Sequence, residues 1–250
     1  MPAQPLQLDL PKVIGHRGAK SHAPENTLAS VQLAHAQGAR WVEVDVKLTA
    51  DGVPVLMHDD RVDRTTDGHG AVRDMTLGEI RRLDAGRWFS EAYAGERVPT
   101  LEEFLDLAAG LGLGINLEIK PCAGRERETA EAALELARRH WPAGLPVLVS
   151  SFAVPSLEAA MAAAPDWPRG YLMDEEAPDW RGTADRLAAA TINVNARRQT
   201  AESVAAYRAT GRPVLCYTVN DPARARVLFG WGVAGVFTDA PLEMLAGLGG

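Results

Sequence analysis

Short runs of β-branched and aliphatic residues alternate along the whole chain with longer segments rich in Ala, Leu, Glu and Arg. The runs at 12–15, 41–46, 114–119, 146–150, 170–173, 191–194, 214–218 and 235–237 have strand length and strand composition. Between them, 27–37, 101–109, 126–140, 156–163, 184–190, 201–210 and 222–230 predict helices, with a last one after Pro241. A strand followed by a helix, repeated about eight times, builds a parallel sheet, because each helix carries the chain back to start the next strand in the same direction. Eight such units in 250 residues suggest an α/β fold of the closed (β/α)8 kind, a TIM barrel, for which about 250 residues is the usual length. An open doubly wound sheet is the alternative. Helix punctuation fits the pattern: Asn26 or Thr27 as first cap with Gly38 as its stop, Thr100 to Glu103 as a capping box, and Asp221 ahead of Pro222.

One segment breaks the rhythm. Asp51-Gly52 between two apolar runs is a hairpin signal, so 53–58 is expected to pair with the strand before it. The stretch 59–99 is polar, rich in Gly, Arg and Asp, with one short helix around 77–83. It reads as an insertion over the C-terminal face of the barrel, so that 1–250 is one barrel domain. Trp88, Phe89 and Tyr93 within it either cap the mouth or form an interface, and the oligomeric state stays open.

Composition narrows the partners. The chain is 46% hydrophobic and 24% charged, as folded domains are. A net charge of −7 without a basic block speaks against nucleic acid or an anionic membrane as partner. No apolar run approaches the ~18 residues of a membrane span. Cys122 and Cys216 are the only cysteines and are expected to be reduced, and 1–10 has neither the basic nor the apolar part of a leader. Both point to the cytoplasm. An anionic substrate would therefore need local cations or a metal ion.

Polar residues interrupt the predicted strands where a parallel barrel keeps its active site, at the C-terminal ends. His16-Arg17-Gly18 follows the first strand, Glu43 and Asp45 alternate on the second, His58-Asp59 ends the extra strand, and Glu118 and Lys120 alternate on the third parallel strand. Period 2 puts Glu43 and Asp45 on one face, roughly 6.6–7 Å apart along the strand, and turns Val42, Val44 and Val46 toward the helices. Buried carboxylates are unfavourable by several kcal/mol unless a counter-charge compensates them. Three of them on adjacent strands offer hard oxygen ligands suited to Mg²⁺ or Ca²⁺, whereas zinc-type spacing is missing. The competing account is an ion-pair network with Arg or Lys inside the barrel. His16 and His58 can converge on the mouth as a proton-exchanging pair, although a single strand-end histidine is more often structural. Arg17 and Lys120 suit phosphate oxygens, or else only neutralise the carboxylates. His22, His35, His69 and His140 are expected at the surface.

These motifs, with Ala23-Pro24-Glu25-Asn26-Thr27, Glu118-Ile119-Lys120-Pro121, Ser150-Ser151-Phe152, Tyr217-Thr218-Val219-Asn220 and Gly235-Val236-Phe237-Thr238-Asp239, resemble in order the glycerophosphodiester phosphodiesterases, most of all the cytosolic bacterial type. The resemblance implies a TIM barrel with a small insertion after the second strand. It implies hydrolysis of a small-molecule glycerophosphodiester, such as glycerophosphocholine or glycerophosphoethanolamine, to sn-glycerol 3-phosphate and an alcohol. By the same match one divalent cation, Mg²⁺ or Ca²⁺, is held by Glu43, Asp45 and Glu118. His16 and His58 are the acid–base pair, with His16 taken as base, while Arg17 and Lys120 hold the phosphate. Tyr217 stands where the family often has Trp and would line the glycerol side, and Glu25 would orient Arg17. The rivals are a related barrel lyase, which cleaves phospholipid headgroups to a cyclic phosphate, and a non-catalytic phosphate-ligand binder. The paired imidazoles argue against the binder. The alcohol, the metal and the choice between water and the glycerol hydroxyl as nucleophile are left open.

Overall fold

The computed structural model describes residues 8–249, so most of the 1–10 segment lies outside it. Eight parallel strands close into a barrel: β1 (Val13–His16), β2 (Trp41–Leu48), β4 (Gly114–Ile119), β5 (Val147–Ser151), β6 (Arg169–Met173), β7 (Thr191–Asn195), β8 (Val214–Tyr217) and β9 (Gly235–Thr238). β1 pairs with both β2 and β9, which closes the ring and excludes the open sheet. The hairpin expected at Asp51-Gly52 is present, with β3 (Pro54–Leu56) antiparallel to β2. The barrel is wrapped by α1 (Leu28–Ala36), α3 (Leu101–Gly110), α4 (Glu126–His140), α5 (Val154–Ala163), α6 (Trp180–Arg186), α7 (Ala201–Arg208), α8 (Pro222–Trp231) and α9 (Pro241–Leu248), while the short α2 (Leu77–Ile80) lies between β3 and α3.

The caps fall where the sequence places them. Thr27 accepts from Ser30 N, Thr100 and Glu103 form a reciprocal capping box, and Asp221 accepts from Ala223 N ahead of Pro222. One helix is misplaced by sequence. Expected at 184–190, α6 begins at Trp180, whose buried ring packs edge-on against Tyr207 at 4.8 Å, and Ala188 turns to φ 45° to end it. The alanine run that suggested a helix is the connection into β7, where Ala190 N bonds Arg169 O.

Alternation along β2 and β4 does what period 2 requires. Val42, Val44, Val46, Ile115, Leu117 and Ile119 join the apolar layer beneath the helices. Their neighbours Glu43, Asp45, Lys47, Asn116 and Glu118 are buried on the other face, inside the barrel. Below that polar layer Ile14, Trp41, Leu148, Leu215 and Phe237 form an apolar plug. Gly114 is needed there, since a Cβ would fall 2.4 Å from the Trp41 ring. β3 and the stretch after it share their own apolar cluster of Val55, Met57, Val62, Val72, Ile80, Ala85 and Val98. Phe89 stacks edge-on with Trp88 and Tyr93, and the Tyr93 hydroxyl donates to His22 O in the first strand-to-helix loop. None of the described helices is long and apolar enough to cross a membrane.

Replacing Thr100 by Ala removes both side-chain oxygen contacts of the capping box over α3, which buries Phe104 and Leu105. Urea unfolding should show a loss of about 1 kcal/mol, the usual worth of such a cap. An unchanged unfolding free energy would mean that packing alone holds the first turn.

Candidate active site

Strand register brings the polar residues together. His16 is level with Glu43 across β1 and β2, and Asp45 is level with Glu118 across β2 and β4. After β1 the chain must turn at once into the helix layer. Arg17 adopts φ 54° and Gly18 φ 84°, and a Cβ at Gly18 would sit 2.7 Å from Ser30 O, so only glycine fits. This turn points the Arg17 backbone N–H at Glu43 Oε2, 3.0 Å away, and its guanidinium at Asp45. His58 arrives from the end of β3, where Met57 N bonds Asp45 O.

His16, Arg17, Glu43, His58, Glu118, Lys120 and Tyr217 all line one cavity of about 310 Å³ at the barrel mouth. Asp45 lies just beneath, and one oxygen from each of Glu43, Asp45 and Glu118 lies within 4.8 Å of the others, so this trio can hold a metal ion. The ion-pair network offered as the competing account is also present. Arg17 Nε stands 3.1 Å from Asp45 Oδ2, and Lys120 Nζ donates to Glu118 Oε1 at 2.7 Å. Part of the acidic surface nevertheless lacks hydrogen bonds: Glu43 Oε1 and Asp45 Oδ1 are buried without a hydrogen-bond partner, although Lys120 Nζ stands 3.7 Å from Asp45 Oδ1. Asp45 Oδ2, in contrast, also accepts from Asn26 Nδ2, whose Oδ1 accepts from Asp45 N.

Burial, then the charges of Asp45 and Glu118, hold the Glu43 carboxyl well above its usual range. Burial and then the Asp45 charge push Glu118 up to about 7. Asp45 is also raised by burial, but Arg17 and Lys120 more than reverse this and keep it ionised. Carboxylates this close oppose one another's ionisation, which raises Glu43 and Glu118 together. The orphaned oxygens, the all-oxygen donor set and the suppressed ionisation fit a divalent cation.

Both imidazoles are held from behind by carboxylates. His16 Nδ1 lies 2.6 Å from Asp239 Oδ1, and Asp239 Oδ2 accepts from Asn220 Nδ2. His58 Nδ1 lies 2.6 Å from Asp59 Oδ1, and Arg64 clamps Asp59 and also Glu25, which takes Arg17 Nη1 at 2.7 Å. Glu25 thus touches Arg17 directly. A carboxylate at Nδ1 selects the tautomer with the proton there and leaves Nε2 free for exchange. Burial lowers both imidazoles from their ordinary value, with Asp239 opposing at His16 and Asp45 opposing at His58. The other histidines stay away from this cavity, though His22 meets Glu243 at 2.9 Å and His69 meets Asp63 at 3.3 Å. Residue-level reading of the sequence missed Asp239, Asp59 and Arg64 as supports, Asn26 as a clamp on Asp45, and Phe152, Asn195 and Arg197 on the far wall. Asp59 was visible as the neighbour of His58, whereas Asp239 is 223 residues from His16 and meets it only through barrel closure.

A sequence profile of the glycerophosphoryl diester phosphodiesterase family matches residues 16–243. The chain is 36% identical over 246 residues to a glycerophosphodiester phosphodiesterase of Bacillus subtilis, covering 91% of this chain and 83% of that protein. It is likewise 36% identical over 237 residues to one from Caldanaerobacter subterraneus, covering 93% and 96%. Among solved structures, an Oleispira antarctica phosphodiesterase in complex with the product sn-glycerol-3-phosphate superposes with a TM-score of 0.94 at 41% identity, over 96% of this chain and 98% of that one. With its barrel, its acidic trio and its paired imidazoles in place, this chain belongs to the glycerophosphoryl diester phosphodiesterase family.

Proposed function

We propose that this protein hydrolyses glycerophosphodiesters, such as glycerophosphocholine and glycerophosphoethanolamine, to sn-glycerol 3-phosphate and the free alcohol. The observation that carries this reading is two carboxylate-backed imidazoles facing one cavity with a buried acidic trio that can hold a metal ion. Binding alone needs no such pair of proton carriers. Glu43, Asp45 and Glu118 hold the cation, and their hard oxygens suit Mg²⁺ or Ca²⁺. Bound there, it supplies Lewis-acid polarisation of the phosphoryl group and offsets charge as the ester bond breaks.

Arg17 and Lys120 hold the phosphoryl oxygens, and Asn26 and Glu25 keep Asp45 and Arg17 in place. His16, the more buried imidazole with its side chain 12% exposed, takes the proton of the attacking water through Nε2. His58, 28% exposed, acts in its imidazolium form: Nε2 gives its proton to the alcohol oxygen as the P–O bond opens, leaving a neutral ring whose Nδ1 proton stays with Asp59. Tyr217 cannot swing freely, because its hydroxyl donates to Met173 O, so its ring serves as a fixed wall on the glycerol side. Residues 59–99 act as an insertion of the same barrel domain, supplying Asp59 and Arg64 behind His58. The cytoplasm is the compartment we assign, on the strength of Cys122 and Cys216, which are buried and unpaired.

Glycerophosphocholine incubated with each ion in turn, with glycerol phosphate read by a coupled dehydrogenase, tests the activity directly. Release of choline without glycerol phosphate would point to the cyclic-phosphate lyase instead. His16→Ala and His58→Ala should each lower turnover by about 10²–10⁴-fold with the fold retained. On a 4-nitrophenyl diester, whose leaving group needs no proton, His58→Ala should recover most of its loss and His16→Ala should not. The reverse pattern would exchange the two roles.

Cation binding must expel the proton that Glu118 carries below about 7. Affinity measured by calorimetry should therefore weaken as pH falls, by about tenfold per pH unit for each proton displaced. A pH-independent affinity between about pH 6 and 8 would remove Glu118 from the ligand set.

A further inference from the structure

Asn116 is 1% exposed, inside the barrel on β4, two residues before Glu118 and so on the same face of the strand. Strand register sets it level with Glu43 of β2, and its side chain lines the mouth cavity. The two ends of its amide differ. Nδ2 donates to Ser150 Oγ at 3.0 Å, on the neighbouring strand β5. Oδ1 is buried with no hydrogen-bond partner among the described residues. Glu43 Oε1, on the strand at its other side, is orphaned in the same way. A buried acceptor left unpaired costs about 1–3 kcal/mol, so the group that meets Oδ1 must be a donor or a cation. The two protein cations beside the trio are spent elsewhere, Arg17 on Glu25 and Asp45, and Lys120 on Glu118 and Asp45. The phosphoryl oxygens of a substrate are themselves acceptors and cannot fill the place.

We propose that Asn116 Oδ1 is a fourth oxygen donor to the cation held by Glu43, Asp45 and Glu118, and that this donor makes the site favour Ca²⁺ over Mg²⁺. This rests on the acidic trio holding a divalent cation and adds a residue and a selectivity to that reading. An amide carbonyl suits the position for an electrostatic reason. Three carboxylates already repel one another there, and an uncharged oxygen adds a ligand without adding repulsion. Ca²⁺ takes roughly six to eight oxygens, amide carbonyls among them, in flexible arrangements. Mg²⁺ demands strict octahedral order and keeps several waters because it dehydrates reluctantly, so a further protein oxygen serves it less. The Ser150 anchor on Nδ2 holds the carbonyl in one orientation before any ion arrives, and little side-chain freedom is lost on binding.

Calorimetry on chelator-stripped protein, titrated with calcium chloride or magnesium chloride in the absence of substrate, tests this. The wild-type protein should bind Ca²⁺ more tightly than Mg²⁺. In Asn116→Leu, Ca²⁺ affinity should fall by about 10- to 100-fold, as it does when a group supporting a metal site is lost, and Mg²⁺ affinity by less. Asn116→Asp, which keeps an oxygen at the same place, should recover most of the Ca²⁺ loss. Melting temperatures in chelator show whether each variant folds, and Asn116→Ala carries the same expectation where the leucine is not accommodated. Unchanged Ca²⁺ affinity in a folded variant lacking the oxygen, equal losses for the two ions, or a wild-type preference for Mg²⁺ would each overturn the proposal. So would a variant whose only defect is a raised KM for glycerophosphocholine, since that assigns Oδ1 to a substrate hydroxyl. Any of these results leaves the acidic trio standing as a metal site. A wild-type protein that binds neither ion sinks the trio and this inference together.

Discussion

Everything about the mouth of this barrel follows from packing Glu43, Asp45 and Glu118 together as buried groups. An ionised carboxylate buried alone is strongly disfavoured, and two more beside it add repulsion. The neighbourhood is arranged around that problem. Arg17 accepts a backbone conformation that non-glycine residues normally avoid, at an expense of order 1–3 kcal/mol. It does so because the turn lets its backbone serve Glu43 and its guanidinium serve Asp45. Asn26, also at positive φ, closes the same loop by bonding Arg17 O and clamping Asp45. The strain and the charge cluster sustain one another.

The charge chain then runs outward. Asp45 holds Arg17, Arg17 holds Glu25, Glu25 holds Arg64, and Arg64 holds Asp59 behind His58. Lys47, buried at the end of β2, adds a parallel tie by donating to Asp60 and to Lys120 O. The segment after β3 is therefore fixed to the barrel through the ions that shape the site, while its own small apolar cluster keeps it folded. His16 depends on different supports: Asp239 and Asn220 from the last two strand ends. The two imidazoles are set by separate parts of the chain, so damage to one support need not reach the other.

Much of this is legible in the sequence. The strands were readable because apolar alternation survives single-residue noise. Glu43, Asp45 and Glu118 stood out because carboxylates in apolar runs demand a reason. Barrel closure could be inferred from the count of strand-helix units, and the hairpin from Asp51-Gly52. What escaped was long-range or negative in character. α6 was shifted because its position is set by Trp180 meeting Tyr207, a tertiary contact that outweighs the helical propensity of the alanines after it. Asp239 as the partner of His16 required strands at opposite ends of the chain to meet. Arg197 was invisible for another reason: an arginine beside a second arginine looks like ordinary surface. Only the geometry shows that Arg197 lines the mouth cavity while Arg198 takes the carboxylates of Asp174 and Glu175.

The barrel separates the layer that stabilises it from the layer that is reactive. Beneath the site, Ile14, Trp41, Leu148, Leu215 and Phe237 fill the lower interior, and around it aliphatic residues join strands to helices. Both supply burial at about 25 cal/mol per Å² and neither involves a charge. The acidic trio contributes the opposite sign. Burial and mutual repulsion raise the Glu43 and Glu118 carboxyls above their usual range, a local destabilisation that neutral isosteres would relieve. A sequence selected for stability alone would not keep three acids at that spot. That local destabilisation, together with three carboxylate oxygens converging on one point, is the physical reason to regard the trio as a place built for a cation.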